Sequence, residues 1–257
     1  MRSPMTVELL ALRSAMVGAI ALASIGNVAS AQTSGDGFLF RAPRGSFSIH
    51  GGYAMPRAGS DVFSEATSLL TIDKRDFRSF SIGGDISYAV TPRFDLVFGG
   101  DFSSASKDSE YRDWVDNNEQ PIEQSTSFRQ VPLAVSLRYY LTDRGHSVSQ
   151  FAWIPSKYSP YVGIGGGATW YRFRQEGDFV DFQRDNEVFP AELESSGWAP
   201  TGHAMAGVDY TIGPWLALTL EGRYSLGKAS LDQNVYQGFE KIDLARFVGT
   251  VGFKVRF

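Results

Sequence analysis

The stretch FVGTVGFKVRF, Phe247–Phe257, decides the fold. Apolar residues or glycine occupy every second position: Phe247, Gly249, Val251, Phe253, Val255 and Phe257. Thr250, Gly252, Lys254 and Arg256 lie between them. Successive strand side chains point to opposite sides, so this spacing describes a strand with one greasy face and one polar face. Everything else follows from which of the two faces meets water.

Seven earlier stretches carry the same alternation. GSFSIHGGY sets Phe47, Ile49 and Tyr53 against Ser46, Ser48 and His50, and FSIGGDISYAV sets Phe80, Ile82, Ile86 and Tyr88 against Ser81, Asp85 and Ser87. FDLVFGGDF, VPLAVSLRYYL, YVGIGGGATW, GHAMAGVDYTI and LALTLEGRYSL complete the set of eight with the closing stretch. Short turns around Pro92 and Gly213-Pro214 join two of the pairs, and proline presets the turn backbone. Long polar segments are expected to join strands one–two, three–four, five–six and seven–eight. The link from Thr142 to Ser159 is long where a short turn belongs, and its FAWIP is placed on the membrane surface. Pro132 and Pro200 cannot donate to a ladder and are read as lying where strands are not yet fully paired.

Composition narrows the class. A net charge of −4 argues against a nucleic-acid partner, and the lack of cysteine excludes thiol chemistry and disulfides. Arg2 and Arg13, the apolar run Ala15–Ile25 and the small residues Ala29-Ser30-Ala31 read as a secretory signal peptide over residues 1–31. The alternative is an N-terminal anchor, although the run is shorter than the roughly 20 residues a spanning helix needs. Residues 32–44 are read as a periplasmic leader and 45–257 as a barrel domain. No later apolar run is long enough for a membrane helix, and mean hydropathy is −0.16.

A soluble barrel would turn its apolar face inward around a ligand, whereas a membrane barrel turns it outward to lipid. The stretches are about 9–11 residues long, which is what a tilted strand needs to cross a bilayer. Aromatic residues gather at their ends, as at Tyr53, Tyr88, Phe94, Tyr139, Trp170, Tyr210 and Trp215, where interfacial rings belong. The polar face is rich in glycine, which suits a narrow interior. The expected fold is therefore all-β: an eight-stranded antiparallel up-and-down transmembrane β-barrel. Lipid has no partner for an open edge, so the last strand must pair with the first.

With its signal peptide, eight amphipathic strands and the ending FVGTVGFKVRF, the chain resembles the small eight-stranded outer-membrane β-barrel proteins of the OmpA/OmpX-like group, over roughly Ser46–Phe257. That resemblance implies a bacterial outer-membrane location, outer-membrane lipid and lipopolysaccharide as surroundings, and a monomer. It also implies that Phe253, Val255 and Phe257 form the C-terminal signal read by the outer-membrane assembly machinery. The implied role is a structural or cell-surface interaction barrel. The alternatives are a narrow channel for small solutes and a soluble exported ligand-binding barrel.

Charge on the lumen face must be paired, because isolated buried charge is costly. The expectation is an ion-pair plug of Asp85, Arg138, Glu221 and Lys254, with Arg223 and Arg246 nearer the rims. Ser48 and His50 share a face and raise a lipid-hydrolase alternative, but no orienting carboxylate is evident and they more simply line a polar lumen. No enzyme activity, cofactor or metal is expected. Lys107–Glu123 and Arg174–Glu194 are acidic, the latter including Asp185 beside Arg184. They are read as solvated loops, with binding of divalent cations or a basic partner as the alternative.

Overall fold

A computed structural model describes residues 37–116, 119–181, 187–239 and 241–257. The signal-peptide reading and the Arg184–Asp185 pair fall outside the described residues. The strands are β1 (Gly45–Pro56), β2 (Ser79–Ala89), β3 (Phe94–Val115), β4 (Pro121–Tyr140), β5 (Gly145–Ser149) and β6 (Ala152–Pro155). They continue with β7 (Tyr158–Asp181), β8 (Glu187–Thr211), β9 (Leu216–Ser230), β10 (Lys241–Asp243) and β11 (Arg246–Arg256). An α-helix, α1 (Asp61–Leu69), and a short 3-10 turn, Lys74–Phe77, lie between β1 and β2.

Eight of these strands close a ring in the order β1-β2-β3-β4-β7-β8-β9-β11, every pair antiparallel. The opening stretch supplies the seam: β11 pairs with β1 from Ser46↔Arg256 to Pro56↔Arg246. Phe257 extends the closure, its N–H donating to the Gly45 carbonyl at 2.9 Å. The apolar faces point outward, with Phe80 65% and Ile164 69% exposed, while Ser46, Ser48, His50, Ser81 and Asp85 are buried. The orientation is that of a membrane barrel, not of a soluble ligand-binding one.

Four strands are much longer than expected. β7 and β8 run to 24 and 25 residues, about 14 beyond what a bilayer crossing needs. At about 3.3 Å per residue that is roughly 45 Å of additional strand. The acidic segments read as loops are therefore largely β-ladder: Lys107 pairs with Thr126, and Arg174 with Glu194. Pro132 and Pro200 also sit inside strands, opposite Thr169 and Ala168. Their other edges face breaks: β8–β9 pairing begins only at Thr201, and β3–β4 pairing skips from Gly100↔Leu133 to Ser103↔Gln130.

The extension changes what the barrel encloses. Above the aromatic ends of the crossing segments the inward side becomes apolar, with Phe128, Phe173, Tyr171 and Ile122 buried there. The segment between β1 and β2 drops α1 into this space. Val62, Phe63, Ala66 and the following Leu70 recur at helical spacing and are buried. The Phe63 ring meets Phe77, Phe128 and Phe173 edge-on at 4.9, 5.2 and 5.4 Å. β10 and the residue that follows it close the other side, adding Ile242 and Leu244 to the same cluster. The result is a packed head on top of a polar barrel.

At the opposite end, which carries the described termini, β5 and β6 form a hairpin within the 142–159 link. The FAWIP segment is part of this hairpin. Trp153 is buried and bridges to Leu39, while Phe151 and Ile154 face out. Arg144 fastens the hairpin to the β2–β3 turn through both Asp95 oxygens (2.8 and 3.1 Å) and the Pro92 carbonyl (2.9 Å).

Candidate functional site: the filled lumen and the head

The strand period delivers polar side chains to the axis, and the glycines beside them make room. A Cβ at Gly83 would run into the Gly100 carbonyl, the Asp101 carboxylate and the His50 ring. At Gly207 a Cβ would meet the Tyr161 ring, so glycine lets that ring lie across the lumen.

Two charged layers fill the axis. In the upper one, Glu221 accepts from Arg138 Nη2 at 3.2 Å, from Tyr161 Oη at 2.8 Å and from Arg223 Nη2 at 2.7 Å. Arg223 reaches on to Asp101 at 3.1 Å, and Arg246 donates to Ser103 at 2.7 Å. His50 Nε2 lies 2.8 Å from Asp101, and its Nδ1 lies 3.6 Å from Asp85. Three carboxylates thus face three guanidiniums: Asp85, Asp101 and Glu221 against Arg138, Arg223 and Arg246. The Arg138 guanidinium also stacks 4.4 Å over the Tyr161 ring, a contact that favours arginine over lysine.

The lower layer is built on Asp209. Both its oxygens accept from Lys254 Nζ, at 2.8 and 2.6 Å, and it also accepts from Tyr140 Oη at 3.0 Å and Thr219 Oγ1 at 2.8 Å. Arg256 donates to Thr211 at 3.1 Å beside it.

Of the four residues expected to form a plug, Arg138 and Glu221 are in contact. Asp85 lies 4.0 Å from Arg138, and Lys254 belongs to the other layer. Arg223 and Arg246 are not rim residues; both sit in the upper layer with side chains 11% and 3% exposed. The longer strands explain this, since what reads as a strand end is mid-barrel. The expected plug omits Asp101 and Asp209, although both fall on the polar side of the alternation in FDLVFGGDF and GHAMAGVDYTI.

Ser48 Oγ donates to Asp85 at 3.2 Å, and His50 sits between two carboxylates. A different pair, Ser136 on β4 and His203 on β8, is linked at 2.8 Å over Gly165 of the intervening β7. The void bordered by Ser48, His50, Asp85, Thr219, Glu221 and Thr250 measures about 10 Å³, room for about one water. Among the described residues no three or more His, Cys, Asp or Glu side chains are arranged to hold a metal ion.

The head has a recess of about 370 Å³ between α1, Tyr111, Phe179, Leu193 and the 235–239 segment. Asp243 ties it together, accepting from Arg57 Nε at 2.8 Å and from the Gly59 N–H at 3.0 Å, while its own N–H donates to Ser60 Oγ at 3.1 Å. Burial, with Glu194 nearby, keeps the Tyr236 phenol protonated well above the ordinary tyrosine range. Its hydroxyl donates to the Leu193 carbonyl at 3.1 Å.

A closed ring of eight strands, apolar outside and charged along its axis, defines a small transmembrane β-barrel. Among solved structures the chain is similar to Neisserial surface protein A, at 14% identity and a TM-score of 0.42 over 82% of this chain and 97% of that one. It is also similar to OprG from Pseudomonas aeruginosa (17%, 0.42, 84% and 97%) and to outer membrane protein W from E. coli (17%, 0.37, 85% and 100%). No family model and no curated protein matches the chain.

Proposed function

We propose that this is a non-enzymatic outer-membrane barrel that carries a folded head at the cell surface and serves a structural or surface-interaction role. In this reading the end with the termini faces the periplasm. Phe253, Val255 and Phe257 present the closing strand to the assembly machinery, and the protein works as a monomer. The observation that carries it is the double closure of the axis. A charge-paired lumen, in which the void beside His50, Asp85 and Glu221 has room for about one water, lies beneath an apolar core packed around α1. A conduit needs a wet path, and two packed layers in series oppose one.

The experiment is planar-bilayer recording with the refolded chain. The native barrel is expected to give no resolved conductance steps. Glu221→Ala leaves Arg138, Arg223 and the Tyr161 hydroxyl without their shared acceptor, so heat stability should fall or leak should appear. Stable native conductance would overturn the closed reading, and a variant with unchanged leak and unchanged heat stability would overturn the plug.

A further inference from the structure

The outer wall of the barrel, just above its lipid-facing band, holds an arrangement that the lumen and the head do not explain. One row of side chains crosses four adjacent strands: Ser104 on β3, Arg129 on β4, Arg172 on β7 and Ser196 on β8, each directly opposite the next. The row beneath is apolar, with Val131, Trp170 and Trp198 in register. The row above begins a polar zone with Ser127, Arg174 and Glu194.

Two like charges facing each other across a ladder destabilise the pair. Arg172 has a carboxylate, Glu194, at 2.8 Å, and Arg174 has two, Glu176 at 2.8 Å and Glu192 at 3.0 Å. Arg129 has no carboxylate partner among the described residues; its guanidinium lies 5.5 Å over the Phe102 ring. The Nε atoms of Arg129 and Arg172 are buried and make no hydrogen bond among the described residues.

Depth gives the pair its meaning. Arg129 lies ten residues along β4 from Tyr139, an aromatic residue near the opposite rim. Ten residues at about 3.3 Å, on a strand tilted by about 40°, rise roughly 25 Å, the height of the apolar band of such barrels. The tryptophan pair below marks the interface where indole rings settle. Arg129 and Arg172 therefore lie at the level of lipid headgroups, facing the bilayer and not the lumen.

The geometry points to a lipid-phosphate site here. The phosphate monoester of an outer-leaflet glycolipid sits between Arg129 and Arg172, flanked by the hydroxyls of Ser104, Ser127 and Ser196, with its acyl chains against Trp170 and Trp198. Guanidinium forks suit phosphate oxygens, and an anion between two facing arginines converts their repulsion into shared attraction. The inference rests on the reading above that the head end faces the cell surface, since that leaflet supplies such a lipid.

The test uses the full mature chain refolded into phosphatidylcholine nanodiscs doped with either bisphosphorylated lipid A or its dephosphorylated form, with mass spectrometry counting the lipid retained per barrel. The native chain is expected to retain the phosphorylated form at least tenfold more, and Arg129→Ser or Arg172→Ser to bring that ratio close to one. Added inorganic phosphate should not compete; if it abolishes the preference, the site takes a free anion and the lipid assignment is overturned. In phosphate-free detergent, Arg129→Ser is expected to keep or raise heat stability, because it removes a like-charge contact. A loss there would make Arg129 a structural residue and overturn the proposal. Insertion with equal retention by native and variant chains would sink this site alone, whereas failure of the native chain to insert would sink the membrane reading with it.

Discussion

Replacing Asp209 by alanine tests whether the lower lumen layer is held by paired charge. Lys254 Nζ has both Asp209 oxygens within 2.8 Å, and the two side chains are 3% and 2% exposed. Without the carboxylate, the ammonium keeps only Tyr140 Oη at 3.3 Å. Thr219 and Tyr140 lose their acceptor as well. Breaking a buried pair by removing one partner costs about 3–5 kcal/mol, whereas replacing both by apolar residues is often neutral. With a urea slope of about 3 kcal/mol/M, the single change should lower the unfolding midpoint by about 1–1.7 M. The assay is reversible urea unfolding in phosphatidylcholine vesicles, followed by tryptophan fluorescence and by the gel shift of the folded barrel. Asp209→Ala combined with Lys254→Met should return to within about 1 kcal/mol of the native chain. A single variant that loses under about 1 kcal/mol, or a double variant that recovers nothing, would refute the idea that uncompensated charge sets the penalty.

The head yields two more expectations. Phe63→Ala removes the ring on which Phe77, Phe128 and Phe173 converge and should cost about 3–5 kcal/mol of head packing. Limited proteolysis should then cut within residues 57–78 while the barrel keeps its gel shift; an uncut segment would contradict the packing. The Tyr236 phenol, held protonated by burial, has a higher pKa in the folded head than in the unfolded chain. Its contribution is therefore complete below about pH 10 and declines as the pH rises above that value. Cleavage of the 231–239 segment should accelerate above about pH 10 in the native chain and not in Tyr236→Phe, and identical pH profiles would rule this out.

The crossing segments were legible because lipid imposes a strict period of two, and Phe80, Ile82 and Ile86 point outward as their spacing predicts. Above the bilayer that constraint lapses. Asp108 and Glu110 tolerate water on their side of the sheet, so charge conceals a strand that continues through Ser109 and Tyr111. The same blindness hid α1. Its apolar residues, Val62, Phe63 and Ala66, are few and lie in a segment whose length suggested a loop. In the lumen, alternation identified Asp85, Arg138, Glu221 and Lys254 as inward-facing, but partners depend on strand tilt and stagger. Lys254 accordingly meets Asp209 two strands away around the ring, while Glu221 meets Arg138. Arg223 and Arg246 were misplaced for a related reason: their height depends on strand length, which alternation alone underestimates.

The reversal from apolar to polar along the barrel's outside works as a waterline. Sliding the molecule outward by one residue pair, about 5 Å of height, would lift Trp170, Trp198 and Val131 toward water. Sliding it inward by the same amount would press Arg129 and Arg172 into the edge of the hydrocarbon, where the cost of an arginine climbs from about 0–1 kcal/mol near the interface toward about 2–4 kcal/mol at the midplane. Immersion depth is thereby written into the side-chain order, and the head rides at a fixed altitude above the surface.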